Sequence, residues 1–434
     1  MYILNFVTML QAGYIRENFE KVALGLEKKR FKNASYVLQQ VLDLDQQRRN
    51  AQVERDNFLS ESNLLSKKIG ALIKEKKSGE AEKIKILSME LKEKSRAAGE
   101  KLVGLENELQ QLLYTVPNAA HEKVPSGKSS EDNQVVYTHG TIPALPENAL
   151  PHWELIESYD IIDFELGNKI TGAGFPVYKG KGAKLQRALI NFFLDEAANA
   201  GYREIQPPVL INSESGFGTG QLPDKEGQMY KLADEDYYLI PTAEVPITNL
   251  YRNVILREEE LPVKCTGYTS CFRREAGSWG AHVRGLNRLH QFDKVEIVRL
   301  NDPESSYAAL EEMCDHVKGL LIKLELPFRM VLLCGADMGF TSAMTYDMEV
   351  FSGAQKKWLE VSSISNFESY QAYRLKLRYK DRNNKSQYLH TLNGSALALP
   401  RIVAAMLENN QGPDGIAIPA ALVPYTGFEF IDKP

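Results

Sequence analysis

Residues 35–113 constrain the fold of this chain more than any other stretch, because their composition and spacing favour long helices. The stretch contains no proline and no tryptophan and is dense in Leu, Lys, Glu, Gln and Ala. Its second half repeats apolar or small residues in alternating steps of four and three, the heptad spacing of a coiled coil. That seam is formed by Ile84, Ser88, Leu91, Ser95, Ala98, Leu102, Leu105, Leu109 and Leu112.

The first half of the stretch matches the same spacing more loosely. Its seam would consist of Leu38, Val41, Leu42, Asp45, Arg49, Gln52, Leu59, Leu64, Leu65, Ile69, Leu72 and Ile73. Between the halves, Gly79 can adopt a positive φ at low cost, which favours a helix reversal at residues 77–80. The sequence therefore predicts an antiparallel helical hairpin with helices of about 40 residues, each ~60 Å long. A hairpin of that length cannot fold into a compact core, so we expect it to project.

The outer part of the predicted hairpin carries an excess of positive charge. Residues 67–101 contain eleven Lys or Arg and six Glu, a net of +5 in a chain whose total is −5. Such a surface suits the phosphate backbone of a nucleic acid. An ordinary solvated face of a coiled coil also carries charges, so the pattern alone leaves both interpretations open.

The rest of the 434-residue chain has a different composition. Five prolines from Pro117 to Pro151 mark residues 116–150 as a connector. Beyond it, amphipathic helices mix irregularly with strand-like runs, which predicts an α+β domain with a largely antiparallel sheet. The length favours two or three domains, assigned here to residues 1–115, 116–150 and 151–434. Neither GxGxxG nor GxxxxGK[ST] occurs, so an ATP site would be neither of the Rossmann nor of the P-loop type.

Two sequence features bear on the compartment. No apolar run approaches the roughly 20 residues that cross a bilayer, and the apolar N-terminal stretch has neither a preceding Lys or Arg nor a small-residue cleavage site. We therefore expect no membrane anchor and no signal peptide, with Met9 as an alternative start. Four cysteines form no CxxC pair and have no histidine at zinc-ligand spacing, which favours a reduced, cytoplasmic protein without zinc. They are Cys265, Cys271, Cys314 and Cys334.

Three segments beyond residue 180 form a pattern that is more specific than any of them alone. In residues 185–210, an amphipathic helical run is stopped by glycine and leads into a proline-ended strand. Residues 269–275 and 288–296 alternate like two strands that flank a Gly-rich loop, so side chains of one face would meet a common ligand. Small residues at 394, 396 and 398 precede an arginine at the start of an apolar helix. In this order the segments resemble motifs 1, 2 and 3 of class II aminoacyl-tRNA synthetases.

Further segments distinguish the amino acids within that class. They are Phe217–Pro223, Pro241–Glu244, Glu360–Phe367, Gln371-Ala372 and Thr391–Ser395. Together with the hairpin they resemble the seryl-tRNA synthetase family of bacterial type, from about residue 12 to 427. The resemblance implies an α+β class II catalytic domain on an antiparallel β-sheet with flanking helices, preceded by an antiparallel coiled-coil arm. It also implies a serine–tRNA ligase, which activates L-serine with ATP and esterifies it to tRNA.

The resemblance assigns roles around the amino acid. The serine-binding residues would be Thr242, Ala243, Glu244, Arg273, Glu296 and Ser395. Thr242 and Glu244 would hold the ammonium group, whereas Glu296 and Ser395 would bond the hydroxyl. A pocket that pairs this hydroxyl rejects analogues that lack it, because its own polar groups would be left unpaired. Threonine would have to be excluded by steric fit.

The same resemblance assigns the ATP site. Its residues would be Arg273, Arg274, Glu275, Arg288, Phe292, Glu360, Val361, Ser362, Ser363 and Arg401. Arg273 and Arg401 would be catalytic; the planar guanidinium of Arg273 can bridge the serine carboxylate and the α-phosphate, which lysine cannot. Glu275 would accept from the adenine amino group, Phe292 and Arg401 would sandwich the ring, and Arg288 with Arg401 would neutralise the γ-phosphate. Glu360 and Ser363 would be ligands of Mg²⁺, which prefers oxygen.

The partners follow from the same resemblance. The arm would grip the long variable arm of tRNA(Ser), with tRNA(Sec) left open as a second substrate, and motif 1 would join a homodimer. His282 and Arg284 of the motif 2 loop are candidates for contact with the acceptor end of the tRNA. A paralogue that loads a carrier protein is an alternative, but it has no use for the hairpin. A coiled-coil adaptor with a decayed synthetase domain is another, and the intact charged residues of the three motifs count against it.

Overall fold

The computed structural model describes residues 12–224, 226–275 and 284–434 of the chain. Contacts between residues divide it into two compact units. One comprises Phe31–Pro117 with the segment up to Glu27, and the other comprises Lys28–Arg30 with Asn118–Pro434. The domain boundaries that we derived from the sequence stay predictions. No helix within the described ranges is long and apolar enough to span a bilayer.

The first unit is helical. Its helices are Ala12–Glu17 (α1), Phe19–Lys28 (α2), Ala34–Lys74 (α3) and Ser78–Thr115 (α4). The two long helices run antiparallel. The hydroxyl oxygens of Ser62 and Ser88 lie 3.2 Å apart, and Ser95 Oγ donates to the carbonyl of Arg55 at 3.4 Å. Residue numbers thus rise along one helix as they fall along the other, which confirms the predicted hairpin.

The reversal between these helices lies earlier than the sequence suggested. Gly79 lies inside the first turn of α4, and the chain reverses at Glu75–Lys77 with a positive φ of 58° at Lys76. The N–H of Lys77 donates to the carbonyl of Leu72 at 3.0 Å, and that of Lys76 to Ile73 at 3.1 Å. This is a Schellman closure, in which the hydrogen bonds to the last carbonyls offset the cost of placing a lysine in the left-handed region.

The predicted seam of α4 is largely correct. Its buried residues are Ala81, Ser88, Leu91, Ala98, Leu102, Leu105, Leu109 and Leu113. Ile84, Ser95 and Leu112 are half-buried, and Leu113 rather than Leu112 completes the seam. The Ser62–Ser88 pair occupies a seam position because each hydroxyl finds a partner inside the hairpin, so neither is left unpaired.

The predicted seam of α3 is only partly correct beyond Asp45: Leu72 is buried and Leu65 and Ile69 are half-buried, whereas other predicted positions are exposed. Leu59, Leu64 and Ile73 are 48%, 62% and 63% exposed. The inward-facing positions are Val41, Asp45, Arg48, Ala51, Arg55, Phe58, Ser62, Leu65, Ile69 and Leu72. From Arg48 the next step is three instead of four, and such a three-residue interruption shifts the phase of all later positions. Several inward positions are polar, so apolar residues alone do not reveal this phase.

The second unit contains the remaining elements. Its helices are His152–Ser158 (α5), Phe164–Ile170 (α6), Gly180–Asn199 (α7), Ser213–Thr219 (α8), Glu244–Asn249 (α9), Ser306–Lys323 (α10), Tyr370–Leu375 (α11), Leu399–Asn409 (α12) and Val423–Thr426 (α13). Its strands are Gln134–His139 (β1), Ile162–Asp163 (β2), Val177–Tyr178 (β3), Arg203–Glu204 (β4), Leu210–Asn212 (β5), Tyr237–Leu239 (β6), Ile255–Arg257 (β7), Val263–Phe272 (β8), Gln291–Asn301 (β9), Phe328–Leu332 (β10), Met344–Ser352 (β11), Lys357–Asn366 (β12), Arg378–Lys380 (β13), Ser386–Tyr388 (β14), His390–Ala398 (β15), Gln411–Gly412 (β16), Gly415–Ala417 (β17) and Phe430–Ile431 (β18).

An eight-stranded sheet organises this unit, in the order β1-β10-β11-β12-β15-β9-β8-β4. Neighbouring strands pair antiparallel throughout, except that β4 lies parallel to β8. The expected largely antiparallel sheet is therefore confirmed. Strand β1 comes from the segment that the sequence suggested is a connector, and it pairs with β10 at the edge of the sheet.

Helices α7, α10 and α12 pack with this sheet into one hydrophobic core. On α7, Leu185, Leu189, Phe192 and Phe193 are buried at the spacing that the sequence predicts. Gly201 follows the helix with a φ of 82°, a conformation that costs glycine little, and so the helix stops where expected. Helix α12 begins with proline in its first turn, where the missing N–H has no helical partner to lose.

Candidate active site

The centre of the sheet brings distant polar residues together. Glu296 of β9 lies opposite Ser395 of β15 in the antiparallel register. Thr242 precedes α9, which opens with Glu244, and Thr242 Oγ1 donates to Glu296 Oε2 at 3.2 Å. Ala243, between them, is fully buried. The five residues that the resemblance assigns to serine on β9, β15 and the start of α9 therefore lie next to one another.

Neutral amides hold both carboxylates of this group. Asn393 Nδ2 donates to Glu244 Oε2 at 3.0 Å and to Glu296 Oε1 at 2.9 Å. Gln371 Nε2 donates to Glu244 Oε1 at 2.6 Å, and Thr391 Oγ1 in turn donates to Gln371 Oε1 at 2.7 Å. Each carboxylate thus has a fixed orientation.

A buried lysine completes the group and was missed by sequence reasoning. Lys294 Nζ donates to Thr242 Oγ1 at 2.8 Å and lies 2.7 Å from Glu296 Oε2, with its side chain 6% exposed. A signal existed, because Lys294 stands two residues before Glu296 in a strand and so shares its face. We call Thr242, Glu244, Lys294, Glu296 and Asn393 the polar cluster.

The electrostatics of the polar cluster favour a bound cation. Burial, reinforced by the negative charge of Glu296, raises the pKa of Glu244 to about 7. The hydrogen bond from Gln371 and the charges of Lys294 and Arg273 act in the opposite direction. Two carboxylates face one buried lysine here, so an added ammonium group would stabilise the ionised form of Glu244.

The nucleotide side of the candidate site begins where β8 ends. The Cζ atom of Arg273 lies 5.3 Å from the ring centroid of Phe292, a cation–π contact. Glu275 forms an ion pair with Arg288 across the two flanks of the motif 2 loop. Arg273, Glu275, Arg288 and Phe292 are thus brought together, as the resemblance implies.

Arg401 contacts two backbone carbonyls and the carboxylate of Glu360. Its Nε donates to the carbonyl of Asn287 at 3.0 Å and its Nη1 to the carbonyl of Glu360 at 2.8 Å. The same Nη1 lies 3.5 Å from Glu360 Oε2. Arg401 therefore ties the end of the motif 2 loop to β12.

A β-bulge shapes the expected metal site. Strand β11 pairs Asp347 with Ser363 and Glu349 with Glu360, and the register shifts between Met348 and Glu349. The extra residue on β12 places Glu360 and Ser363, three positions apart, on the same face as Asp347. Sequence reasoning missed Asp347. Simple alternation along a strand would put Glu360 and Ser363 on opposite faces, so it gives no common face on which a third ligand from β11 could be sought.

Asp347 fits a role beside a cation. Within the described ranges its Oδ1 is buried without a hydrogen-bond partner, and burial, followed by the charge of Glu360, raises its pKa well above the ordinary range. Oxygen donors from two carboxylates and one hydroxyl suit Mg²⁺ that also binds phosphate. In the same described part of the chain, no group of three or more His, Cys, Asp or Glu side chains forms an all-protein metal cage.

The other expected ATP residues lie around this face. Val361 is buried in the core, and Ser362 Oγ donates to the carbonyl of Ser395 at 2.5 Å. The side chain of Arg274 is exposed, while its backbone N–H donates to the carbonyl of Gln228 at 2.8 Å.

Part of the motif 2 loop is not described. Residues 276–283, with His282, lie outside the described residues. Arg284, the other candidate for contact with the tRNA acceptor end, follows them, and its guanidinium lies 4.9 Å from the ring centroid of Trp153.

Known proteins match the chain along its whole length. Residues 9–120 match the model of the seryl-tRNA synthetase N-terminal domain, and residues 230–410 match that of the tRNA synthetase class II core domain (G, H, P, S and T). The serine–tRNA ligase of Salinibacter ruber is 49% identical over 97% of this chain and 98% of its own length. That of Akkermansia muciniphila is 47% identical over 98% and 99%.

Solved structures match as well. Seryl-tRNA synthetase of Pyrococcus horikoshii, complexed with ATP, has a TM-score of 0.91 and 32% identity over 98% of this chain and 100% of its own. The cytoplasmic enzyme of Naegleria fowleri, in complex with AMP, has a TM-score of 0.86 and 26% identity over 99% and 100%. The order of the three motifs, the antiparallel sheet and these full-length matches establish one conclusion: the chain belongs to the seryl-tRNA synthetase family.

Proposed function

We propose that the polar cluster binds L-serine, which the enzyme activates with ATP and then transfers to the 3′ end of tRNA(Ser). The single observation that carries this proposal is the meeting of two buried carboxylates, Glu244 and Glu296, at Asn393, beside Lys294, which forms an ion pair with Glu296. Glu244 and Thr242 would hold the serine ammonium group, and Glu296 with Ser395 would bond its hydroxyl. Alanine and glycine would leave these buried groups unpaired, which supports discrimination by hydrogen bonding.

Activation is an in-line attack of the serine carboxylate on the α-phosphorus of ATP, with diphosphate as the leaving group. The two reactants are both anionic, so the site must supply positive charge where they meet. Arg273 stands at the end of β8, between the polar cluster and Phe292, and a guanidinium in that place can bind carboxylate and α-phosphate together. Arg288 and Arg401 would neutralise the γ-phosphate, and Phe292 would stack on adenine.

The oxygen donors of Glu360, Ser363 and Asp347 would hold Mg²⁺ bound to ATP. The ion would neutralise phosphate charge. The residues themselves orient the nucleotide, because Glu360 also lies beside Arg401 and so fixes the arginine that binds phosphate.

The helical hairpin supports tRNA as the acceptor. Its exposed lysines suit a phosphate backbone, and a carrier-protein ligase would have no need of this element. We extend the proposal to tRNA(Sec) only as a second candidate substrate. A reducing cytoplasm is the proposed location.

We also propose a homodimer joined through the motif 1 segment. A groove of about 510 Å³ borders α7 and is lined in part by Ile190, Leu194, Ile205 and Tyr268. In the described part of the chain, the hydroxyl of Tyr178 beside this groove is buried without a hydrogen-bond partner. A groove with both apolar and polar lining residues on a class II motif 1 helix suits a two-fold, self-complementary interface.

Exchange of diphosphate into ATP, measured across the amino acids with and without tRNA, tests the proposal. We expect exchange with serine alone, independent of tRNA, followed by esterification of tRNA(Ser). Exchange that depends on another amino acid, or activation without transfer to tRNA, would refute it.

A further inference from the structure

A buried histidine–glutamate pair lies next to the end of the motif 2 loop, outside the residues that the family resemblance assigns. His152 is the first residue of α5, and Glu408 stands in the last turn of α12. Both side chains are 0% exposed, and His152 Nδ1 lies 2.8 Å from Glu408 Oε1. The two residues are 256 positions apart, so no local pattern joins them.

Glu408 is the hub of a hydrogen-bond network. Its Oε2 accepts from the hydroxyl of Ser352 and from the backbone N–H groups of Ala354 and Gln355, each at 3.2 Å. Its Oε1 also accepts from the N–H of His152 at 3.0 Å and from Gln355 Nε2 at 2.8 Å. Burial would raise the pKa of Glu408, yet the hydrogen bonds from His152 and Ser352 outweigh it and hold the pKa below the ordinary range.

An ionised Glu408 fixes the tautomer of His152. The carboxylate can only accept, so Nδ1 of the imidazole carries the proton, as the network requires. Nε2 is then an acceptor, and it receives the N–H of Leu286 at 2.9 Å. The contact is tight, because a Cβ added at Gly285 would lie 2.4 Å from the same Nε2.

The turn that His152 contacts adjoins two residues assigned to the ATP site, Arg288 and Arg401. Gly285–Asn287 form a short 3-10 turn directly before Arg288. The carbonyl of Asn287 accepts from Arg401 at 3.0 Å, and its side-chain amide donates to Gln355 Oε1 at 3.0 Å. His152 thus supports one side of the turn, while Gln355 and Arg401 bind the other.

We propose that His152 is a positioning residue for ATP. Its neutral imidazole bridges Glu408 and the N–H of Leu286, and so fixes the turn that leads into Arg288 and whose Asn287 carbonyl binds Arg401. The inference rests on the proposed function, since it assigns ATP to this end of the site. It predicts an effect on ATP binding that exceeds any effect on serine binding.

A matched pair of variants separates this role from a merely structural one. In His152→Asn, the amide nitrogen replaces Nδ1 and keeps the contact with Glu408, but the acceptor for Leu286 is lost. In His152→Gln, the amide oxygen replaces Nε2 and keeps that acceptor. We expect the KM for ATP in diphosphate exchange to rise about tenfold in H152N, with a far smaller change in the KM for serine. H152Q should recover most of the lost ATP affinity, although its melting temperature is lower than that of the parent.

The outcomes are decisive. An unchanged KM for ATP in folded H152N would overturn the inference. So would equal rises in both variants that follow their melting temperatures, because the role would then be structural. If H152N fails to fold, folded H152Q decides instead: because it keeps the acceptor for Leu286, its KM for ATP must stay within about threefold of the parent, and a tenfold rise would overturn the inference. Loss of serine-dependent exchange in the parent would instead refute the proposed function.

Discussion

Lys294 is the residue on which the charge balance of the serine pocket depends. It is the buried cation that contacts Glu296, and Glu244 lies on the other side of Asn393. Removal of one partner of a buried ion pair leaves an uncompensated charge, which costs about 3–5 kcal/mol. The lysine therefore affects both stability and serine binding.

We expect Lys294→Met to lower the free energy of unfolding by about that amount and to raise the KM for serine more than tenfold. Thermal unfolding and serine-dependent exchange measure the two effects. The double variant K294M/E296Q removes both charges and should regain stability without regaining serine binding. If K294M is as stable as the parent, the Lys294–Glu296 ion pair does not contribute to the free energy of unfolding.

Glu244 gives the serine site a pH dependence. Its carboxyl ionises at the ordinary value of 4.5 in the unfolded chain and at about 7 in the fold. Between these values the folded protein holds a proton that the unfolded chain has released, so this group's contribution to stability falls as pH rises from 4.5 to 7. The serine ammonium group pairs with the ionised form. We therefore expect the KM for serine to fall as pH rises through about 7, measured by exchange between about pH 6 and 8.

Glu244→Gln provides the control for that pH profile. The amide of glutamine has nearly the size of the carboxyl group and can form hydrogen bonds, but it cannot ionise. The KM for serine should therefore be higher than in the parent and nearly constant between about pH 6 and 8. A parent profile that is flat, or a variant profile that keeps the slope, would assign the titration to another group.

At the scale of elements, the features that could be predicted from the sequence are those set by the local spacing of residues. The seam of α4, the end of α7 at Gly201 and the alternating flanks of the motif 2 loop follow from spacing alone, and the structure contains them. The middle of the α3 seam does not, because a three-residue step after Arg48 shifts its phase and polar residues occupy inward positions there.

Long-range register explains what sequence reasoning missed in the site. Asp347 joins Glu360 and Ser363 only through a bulge in β12, and His152 meets Glu408 only after the sheet has formed. Lys294 was within reach, since it shares a strand face with Glu296. A lysine in a strand with other charged residues is, however, as often a solvated side chain, and only its 6% exposure settles the matter.

Helix α7 carries a prediction about assembly. Leu194 lines the groove beside this helix, so Leu194→Arg would place a charge in the proposed interface, where its desolvation opposes association. We expect sedimentation to show a shift from dimer towards a monomer of 48.9 kDa. Ala198→Arg, an exposed position on the same helix outside the groove lining, should leave the dimer intact. A stable, fully active monomer of the parent would refute the interface.

At the scale of the whole molecule, the candidate active site and the helical hairpin belong to different units. All residues of the candidate site belong to the unit of Asn118–Pro434, whereas the helical hairpin belongs to the other. Lysines exposed on the hairpin supply the positive charge, among them Lys67, Lys68, Lys74, Lys76 and Lys77. We therefore assign formation of the adenylate to the unit of Asn118–Pro434 and tRNA binding to the unit that contains the hairpin.

Neutralising those five lysines to glutamine should weaken tRNA binding without affecting exchange. Each lost phosphate contact should also reduce the log–log slope of binding against salt by ~0.7–0.9. The affinity for tRNA, measured over a series of salt concentrations, checks both expectations. An unchanged slope would mean that the basic excess is only a solvated surface.

The most direct test of this assignment of adenylate formation and tRNA binding to separate units compares two reactions in one variant. Residues 35–113 are replaced with a short Gly/Ser linker, and serine-dependent diphosphate exchange is measured beside aminoacylation at low tRNA concentration. We expect exchange within about threefold of the parent, because no residue of the serine or ATP site is removed, and a nearly complete loss of aminoacylation. Aminoacylation at the parental rate, or loss of exchange together with aminoacylation, would contradict it.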